Sequence, residues 1–201
     1  FPNELNKDDI IVLPPLDPII NSGLSGKEAA KAMTLPDGFK ITLAASEPDV
    51  VRPISFSLDA RGRLWVVEAH TYPTPAPEGK GKEDTNGDGT LDKRKVFTEG
   101  LNLVSGIEVG MGGVWLGAAP YLLYIPIDAE LDKPSGPPQK LLDGWGLDDT
   151  HEVINNLRWG PDGWLYGVQG VFTHSNVGKP GASDQNRTKI NAGVWRYHPT
   201  R

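Results

Sequence analysis

The sequence predicts an all-β protein built as a β-propeller, and three observations lead to that prediction. A pattern of strand, tight turn and strand occurs three times. An aromatic residue follows each turn, at Trp65, Trp115 and Tyr166, so the pattern recurs after 50 and then 51 residues. Short strands that repeat at such a period are typical of propeller blades. The 24 glycines and 18 prolines, with only 38% apolar residues, favour many turns over long helices.

The third hairpin, residues 150–170, shows the pattern most clearly. Leu157 and Trp159 supply apolar side chains before the turn. Residues 160–163 read Gly-Pro-Asp-Gly, in which proline fixes φ, aspartate bonds to nearby backbone and glycine accepts a positive φ. An aromatic and β-branched run then resumes at residues 164–168, which predicts the second strand. The tryptophans that recur in the hairpins are expected in the core between blades: Trp65, Trp115, Trp159 and Trp164.

The repeats divide residues 24–201 into about three four-stranded blades, near residues 54–101, 104–147 and 153–201. Three blades are half of a six-bladed propeller, and propellers have about 4–8 blades. The chain is therefore expected to be an incomplete propeller within a longer protein, completed by further blades or by a covering subunit. Repeat one has no apolar segment between Glu68 and Lys95 to match residues 121–125 of repeat two, so one strand is expected to be missing there.

The N-terminal region is predicted to differ from the repeats. Residues 1–23 contain several prolines and are expected to form an extended arm. Ser25 and Glu28 have the spacing of a capping box, which predicts a short helix over the alanine-rich residues that follow. A turn at residues 36–38 then leads into an alternating segment, Phe39–Leu43, which is predicted to be a strand.

Composition limits the classes of function. The net charge is −6 and no basic stripe is present, which argues against a nucleic-acid partner. No run of 18 or more apolar residues occurs, so no membrane span is expected in this chain. The absence of cysteine excludes disulfides, thiolate metal sites and covalently attached haem within these residues.

Residues 84–92 contain the sharpest local motif. Oxygen-bearing residues alternate along this segment, and a glycine stands where a calcium loop needs a sharp turn. Lys95 occupies the position at which an EF-hand has a bidentate glutamate, so a structural calcium loop with different coordination is expected. A solvated polar turn is the alternative. The predicted ligands are Asp84, Asn86, Asp88, Thr90 and Asp92.

Two histidines flank the third hairpin and are candidates for chemistry. His151 precedes its first strand, and His174 follows its second. An imidazole can accept a proton near neutral pH, which makes His151 a candidate general base. Asn155 and Arg158 are expected at the same end of the hairpin. The alternative for His151 is a loop histidine bonded to the backbone.

Five segments resemble one family. Four of them are LPDGFKITLAASEPDV, DARGRLWVVEAHTYP, LLDGWGLDDTHEVINNLRWGPDGWLYGVQGVFTHSNVGKPG and INAGVWRYHPTR. The fifth runs from the Asp-rich loop to residue 125. Together they are similar, over residues 24–201, to the N-terminal propeller of the membrane-bound dehydrogenases of planctomycetes and verrucomicrobia. That propeller is in turn similar to the soluble quinoprotein glucose and sorbosone dehydrogenases.

The resemblance implies a bacterial periplasmic or envelope enzyme. It would use pyrroloquinoline quinone and calcium to oxidise a sugar or polyol, and would pass electrons to a c-type cytochrome. His151 would act as the base, while Arg158, Asn155 and His174 would contact the cofactor. His151 lies nine residues before Gly160, one more than the family pattern has. The alternative is a non-catalytic propeller that binds glycans or a protein partner within a larger envelope complex.

Overall fold

A computed structural model of the chain describes residues 23–68, 81–83, 93–151 and 153–201, with only the backbone for residues 81–83, 93 and 94. The chain divides into two units, residues 1–41 and residues 42–201. The predicted N-terminal arm lies outside the described residues except for Gly23.

The first unit contains the predicted helix, α1, at Gly26–Ala32. Its capping box is present, because Ser25 Oγ accepts a hydrogen bond from the Glu28 backbone N–H and Glu28 Oε2 accepts one from the Ser25 N–H at 2.8 Å. The prediction of a strand at Phe39–Leu43 is wrong, since this segment forms no strand. Alternation alone does not make a strand, and in the described part of the chain no strand pairs with these residues.

Blade one contains four strands: β1 (Pro53–Leu58), β2 (Leu64–Glu68), β3 (Gly81–Glu83) and β4 (Lys93–Lys95). They form two hairpins, β1 with β2 and β3 with β4. The expectation that this blade lacks a strand is wrong, because the polar segment Gly81–Glu83 forms β3 beside β2. Hydrophobicity could not reveal this strand, since backbone hydrogen bonds to β4 define it.

Blade two is the most complete sheet. Its strands are β5 (Val104–Gly110), β6 (Gly113–Ala118), β7 (Tyr121–Asp128), β8 (Lys133–Pro134) and β9 (Gln139–Asp143). They pair antiparallel in the order β5, β6, β7 and β9, as in a four-stranded meander, and the short β8 pairs with the end of β7. The turn after β5 places Met111 and Gly112 at positive φ, which lets a two-residue connection join the strands.

Blade three contains the predicted central hairpin, which the structure confirms. The elements are β10 (Asn155–Trp159), β11 (Leu165–Gln169), β12 (Ser175–Val177), a short 3-10 helix (Asp184–Asn186), β13 (Thr188–Ile190) and β14 (Gly193–Tyr197). The strands β10 and β11 pair antiparallel, and β14 adds to β11 as β7 adds to β6. A separate hairpin, β12 with β13, lies between β11 and β14 in the sequence.

These successive antiparallel sheets confirm the all-β, incomplete propeller fold. The first strands of the three blades lie side by side, because β5 contacts both β1 and β10. That is the position of the innermost strands of a propeller, which line its central channel.

Two apolar cores lie between the blades, one on each face of blade two. Successive side chains of β6 point to opposite faces, as the strand period requires. Val114 and Leu116 pack in the core shared with Trp65 of blade one. Trp115 packs in the other core, where its ring meets Trp159 of blade three edge to face at 5.3 Å.

The core positions predicted for the tryptophans are confirmed at Trp65, Trp115 and Trp159. Trp164 differs. Its ring lies against the Arg196 guanidinium at 4.2 Å and against His198 at 4.9 Å, near the turn of blade three.

An ion-pair network also joins blades one and two at the turn end of the strands. Arg63 Nε lies 2.7 Å from Asp59 Oδ2, and Arg63 Nη1 lies 2.7 Å from Asp132 Oδ1. The hydrogen bond from Arg63 is the main cause that lowers the pKa of Asp132. The pKa of Asp59 is lowered as well, and the network ties the β1–β2 turn to the loop that follows β7.

Glycines permit the close approach of blades two and three. A Cβ added at Gly117 of β6 would lie 2.5 Å from the carbonyl oxygen of Ile154, just before β10. A Cβ added at Gly106 of β5 would lie 3.2 Å from the Cα of Asn155. The close packing of β6 on the residue before β10 therefore requires glycine at position 117, while Gly106 leaves little room for a side chain between β5 and β10.

We expect Gly117→Ala to destabilise the protein by about 1–3 kcal/mol, because the new methyl group overlaps a backbone carbonyl that cannot move alone. Gly193→Ala is the matched control, since Gly193 is also a strand glycine and no atom lies within 4 Å of its added Cβ. Urea unfolding of both variants measures the difference. Equal stability of the two variants would contradict the close packing of blades two and three.

Candidate functional site

Two loops meet at the open end of the blade-three hairpin and form what we call the rim, residues 148–151 and 172–174. Thr173 joins them and is fully buried. Its hydroxyl donates to the Asp149 carbonyl at 2.9 Å and accepts from the Asp149 N–H at 3.2 Å. The His174 N–H donates to Asp148 Oδ2 at 3.1 Å. The structure therefore brings the two predicted histidine loops together and fixes one against the other.

His151 is oriented by a carboxylate. Asp149 Oδ1 lies 2.9 Å from His151 Nδ1 and also accepts the His151 backbone N–H at 2.8 Å. These two hydrogen bonds, the backbone one first, lower the pKa of Asp149. An ionised Asp149 favours the tautomer with the proton on Nδ1, which leaves Nε2 as a proton acceptor. The His151 side chain is 70% exposed.

His174 occupies the opposite side of the rim. Its Nε2 is within hydrogen-bonding distance of the Asn191 side-chain amide, and its Nδ1 lies 3.8 Å from Asp148 Oδ2. Because an amide N–H can only donate, Nε2 accepts and the proton of the neutral ring is on Nδ1, facing Asp148. Both histidines therefore have a carboxylate beside Nδ1.

The structure separates Arg158 from the rim. Asn155 begins β10 next to the rim, whereas Arg158 is the penultimate residue of this strand, before the Gly160 turn. A β-bulge separates the two residues, with Asn156 at a positive φ, and their partners Val168 and Tyr166 are two residues apart on β11, so Arg158 lies about 7 Å further along the strand, toward the turn end of the hairpin. The predicted grouping of Asn155 and Arg158 at one end therefore holds for Asn155 alone.

Arg158 forms an ion pair that sequence reasoning missed. Its Nη1 lies 3.1 Å from Oε2 of Glu108, a buried residue of β5. Burial raises the pKa of Glu108, and the charge of Arg158 opposes that rise. Ser57 of β1, fully buried, approaches the same carboxylate and also favours its ionised form, although the two groups do not reach hydrogen-bond geometry.

The three polar residues occupy equivalent positions in the repeat. Ser57 pairs with Trp65, Glu108 with Trp115, and Arg158 with Tyr166, the aromatic residue of the next strand in each case. Each blade thus contributes one polar side chain at the same level of its innermost strand. In the sequence, each of these three residues is a polar residue between two apolar neighbours. Their equivalence becomes visible only when the strand pairing of the three repeats is aligned.

The predicted calcium ligands lie outside the described residues. The strands on either side, β3 and β4, pair with Glu83 opposite Lys93. Lys95 donates from Nζ to the carbonyl of Leu131 in blade two. Within the described ranges no group of three or more His, Asp or Glu side chains could hold a metal ion.

The fold and the rim define a class: a propeller-type domain in which two loops gather polar side chains at the open end of one hairpin. The chain belongs to the family described as a domain of unknown function (DUF7133), whose model matches residues 25–201. No curated protein and no solved structure is significantly similar to it. None of the helices in the described part is long and apolar enough to cross a membrane.

We expect Arg158→Met to destabilise the protein by about 1–2 kcal/mol at pH 7, because it leaves the Glu108 carboxylate buried without its cation. The Arg158 side chain is 57% exposed, which keeps the loss of stability below that of a fully buried ion pair. Without Arg158 the pKa of Glu108 rises further. A carboxyl whose folded-state pKa is raised gains stability as the pH falls through that pKa, so the loss should shrink at pH 5.

Urea unfolding at both pH values measures this change. The double variant Glu108→Gln/Arg158→Met is the control, since it removes the buried charge and should recover most of the loss at pH 7. A loss of equal size at pH 5 and pH 7 would show that the charge of Glu108 is not its cause.

Proposed function

We propose that the rim is the reaction site of a quinoprotein-type dehydrogenase domain that oxidises a sugar or polyol. The observation that carries the proposal is the pair of Asp149 and His151, in which a carboxylate orients an exposed imidazole. A base held by a third group in this way is the arrangement that proton abstraction requires. The resemblance of residues 24–201 to dehydrogenase propellers supplies the reaction class.

His151 would take the proton of the substrate hydroxyl on Nε2. Asp149 would keep the proton on Nδ1 and stabilise the imidazolium that forms, as its 2.9 Å contact allows. Pyrroloquinoline quinone, when bound, would supply the acceptor for the hydride that leaves the hydroxyl-bearing carbon. The proton and the hydride together account for the two electrons and two hydrogens lost by the alcohol.

The residues present fit such a cofactor in part. The guanidinium of Arg158 is more than half exposed, and in the described part of the chain only its Nη1 has a hydrogen-bond partner, so it retains N–H donors for a carboxylate. Asn155 and His174 would add polar contacts nearer the rim. Calcium would be held by the predicted loop, Asp84 to Asp92. Electrons would pass to a c-type cytochrome in the bacterial periplasm or envelope.

A second candidate function is a non-catalytic scaffold that binds glycans or a protein. It is favoured by the apolar side chains beside the rim carboxylates, since Leu147, Val171 and Phe172 are all exposed. Apolar surface next to hydrogen-bonding groups suits a sugar ring or a protein loop as well as a small substrate. In this case the Asp149–His151 contact only shapes the loop.

We expect dye-linked sugar or polyol oxidation by the full-length gene product, loaded with calcium and pyrroloquinoline quinone. His151→Ala should lower kcat by about a hundredfold or more, because the base is lost, while calorimetric binding of the quinone persists. Asp149→Asn should give a smaller loss of kcat. His198→Ala is the matched control, since His198 meets the Trp164 ring edge to face near the blade-three turn and should leave kcat unchanged.

Equal activity of the wild type and His151→Ala would contradict a catalytic role for His151. If the wild type neither binds the quinone nor oxidises any polyol, the scaffold function is favoured, and glycan binding at Phe172 becomes the next measurement.

A further inference from the structure

Thr173 carries a buried hydroxyl that the proposed reaction does not use. The residue is fully buried between the two loops of the rim, and its hydroxyl bonds to both backbone polar groups of Asp149, the carbonyl at 2.9 Å and the N–H at 3.2 Å. These two groups belong to the peptide planes on either side of the Asp149 Cα. Holding both planes fixes the direction of the Cα–Cβ bond, and therefore the direction in which the Asp149 carboxylate projects.

The Asp149 carboxylate passes this constraint on to His151. Its Oδ1 accepts from the His151 backbone N–H at 2.8 Å and lies 2.9 Å from Nδ1 of the ring. The side chains of Asp149 and His151 are 30% and 70% exposed, so water can compete for the contact between them. Water cannot compete in the same way for the bonds of the buried Thr173 hydroxyl, which is the part of this set of contacts that can keep a fixed geometry.

Gln169 fixes Thr173 in turn. It is the last residue of β11 and is itself buried. Its Nε2 donates to the carbonyl of Thr173 and to the carbonyl of Ile190 in β13, the latter at 3.2 Å. Because Oε1 has no proton to donate, rotation of the amide would break both hydrogen bonds. The amide therefore has one orientation, in which it ties the loop that carries Thr173 to β13.

We propose that Thr173, held by Gln169, is a positioning residue for His151 that acts through Asp149. Its hydroxyl keeps the Asp149 carboxylate beside Nδ1, and the carboxylate keeps the ring proton on Nδ1 and leaves Nε2 as the proton acceptor. This role rests on the proposed function for its purpose, since a fixed tautomer matters to the reaction only if His151 is the base. The tautomer itself can be measured without turnover.

Nitrogen NMR of the full-length gene product with isotope-labelled histidine reads the tautomer of His151 directly. At a pH where the ring is neutral, the protonated and the bare nitrogen have different chemical shifts, and comparison with His151→Ala identifies the signals. The wild type should carry the proton on Nδ1. Thr173→Val keeps the shape of the side chain and removes its hydroxyl, so His151 should become a mixture of both tautomers.

The same variants should separate in their kinetics. Thr173→Val should lower kcat by about tenfold and leave KM nearly unchanged, because the base is misplaced while the substrate contacts remain. Thr173→Ser retains the hydroxyl, so it should preserve both the wild-type tautomer and kcat.

Ser175→Ala is the matched control. Ser175 is also buried, and its hydroxyl joins the stretches of chain on either side of the rim by accepting from the Gly146 N–H at 2.8 Å. Its partner is Gly146 and not Asp149. Loss of this bond should therefore weaken the fold without changing the tautomer of His151 or kcat.

Three results would overturn the positioning role: a wild type with the proton on Nε2, a Thr173→Val variant that keeps the wild-type tautomer, and equal changes of tautomer in Thr173→Val and Ser175→Ala. If Thr173→Val does not fold, the wild type still gives a test by hydrogen exchange. The Asp149 amide should exchange slowly because its acceptor is buried, and exchange at the rate of an unstructured amide would contradict the role.

Failure of the proposed function gives a different pattern. If Thr173→Val changes the tautomer while His151→Ala keeps full activity, the positioning by Thr173 is supported and His151 is not the base.

Discussion

The burial of blade two on both of its faces is the constraint on which the rest of the second unit depends. A β-strand points successive side chains to opposite sides, so β6 and β7 can fill two cores only if both sets of positions are apolar. Both sets are apolar, because Val114 and Leu116 pack in one core and Trp115 packs in the other. Without a blade on each side, about half of these side chains would face water, and the sheet would lose the burial that offsets its ordering.

That stacking also positions the candidate chemistry. Because β5 lies beside both β1 and β10, one polar residue from each innermost strand arrives at the same level, and Glu108 is paired with Arg158 across two blades. The rim depends on the stacking less directly. Thr173 fixes its two loops to one another, while Val153 and Ile154, buried against blade two, anchor the chain between His151 and β10.

Local and periodic signals were enough to predict much of the fold. The turn at residues 160–163, the spacing of Trp65, Trp115 and Tyr166, and the cap at Ser25 each have a short-range physical cause, and the structure confirms all three. The two wrong strand predictions concern segments whose structure depends on long-range pairing. Residues 81–83 form a strand and residues 39–43 do not, because pairing partners rather than hydrophobicity decide those segments.

The same distinction applies to the site. The meeting of the His151 and His174 loops could be predicted, because both lie at the open end of one hairpin. The Glu108–Arg158 pair could not, since its members are separated by 50 residues and meet only through the blade register. Arg158 was predicted at the wrong end of the hairpin for a related reason. Its closeness to Asn155 in the sequence suggested a shared location, whereas the strand carries Arg158 away from the rim and toward the turn.

Native-state hydrogen exchange is the most direct test of the central role of blade two. If both of its faces are buried as described, the amides of β6 and β7 should exchange only through global unfolding, with the largest protection in the protein. The amides of β1 and β14 should exchange earlier, through openings of lower free energy. Exchange of β6 and β7 at the same low protection as β1 would contradict the account, because it would mean that the blades open without regard to the two cores between them.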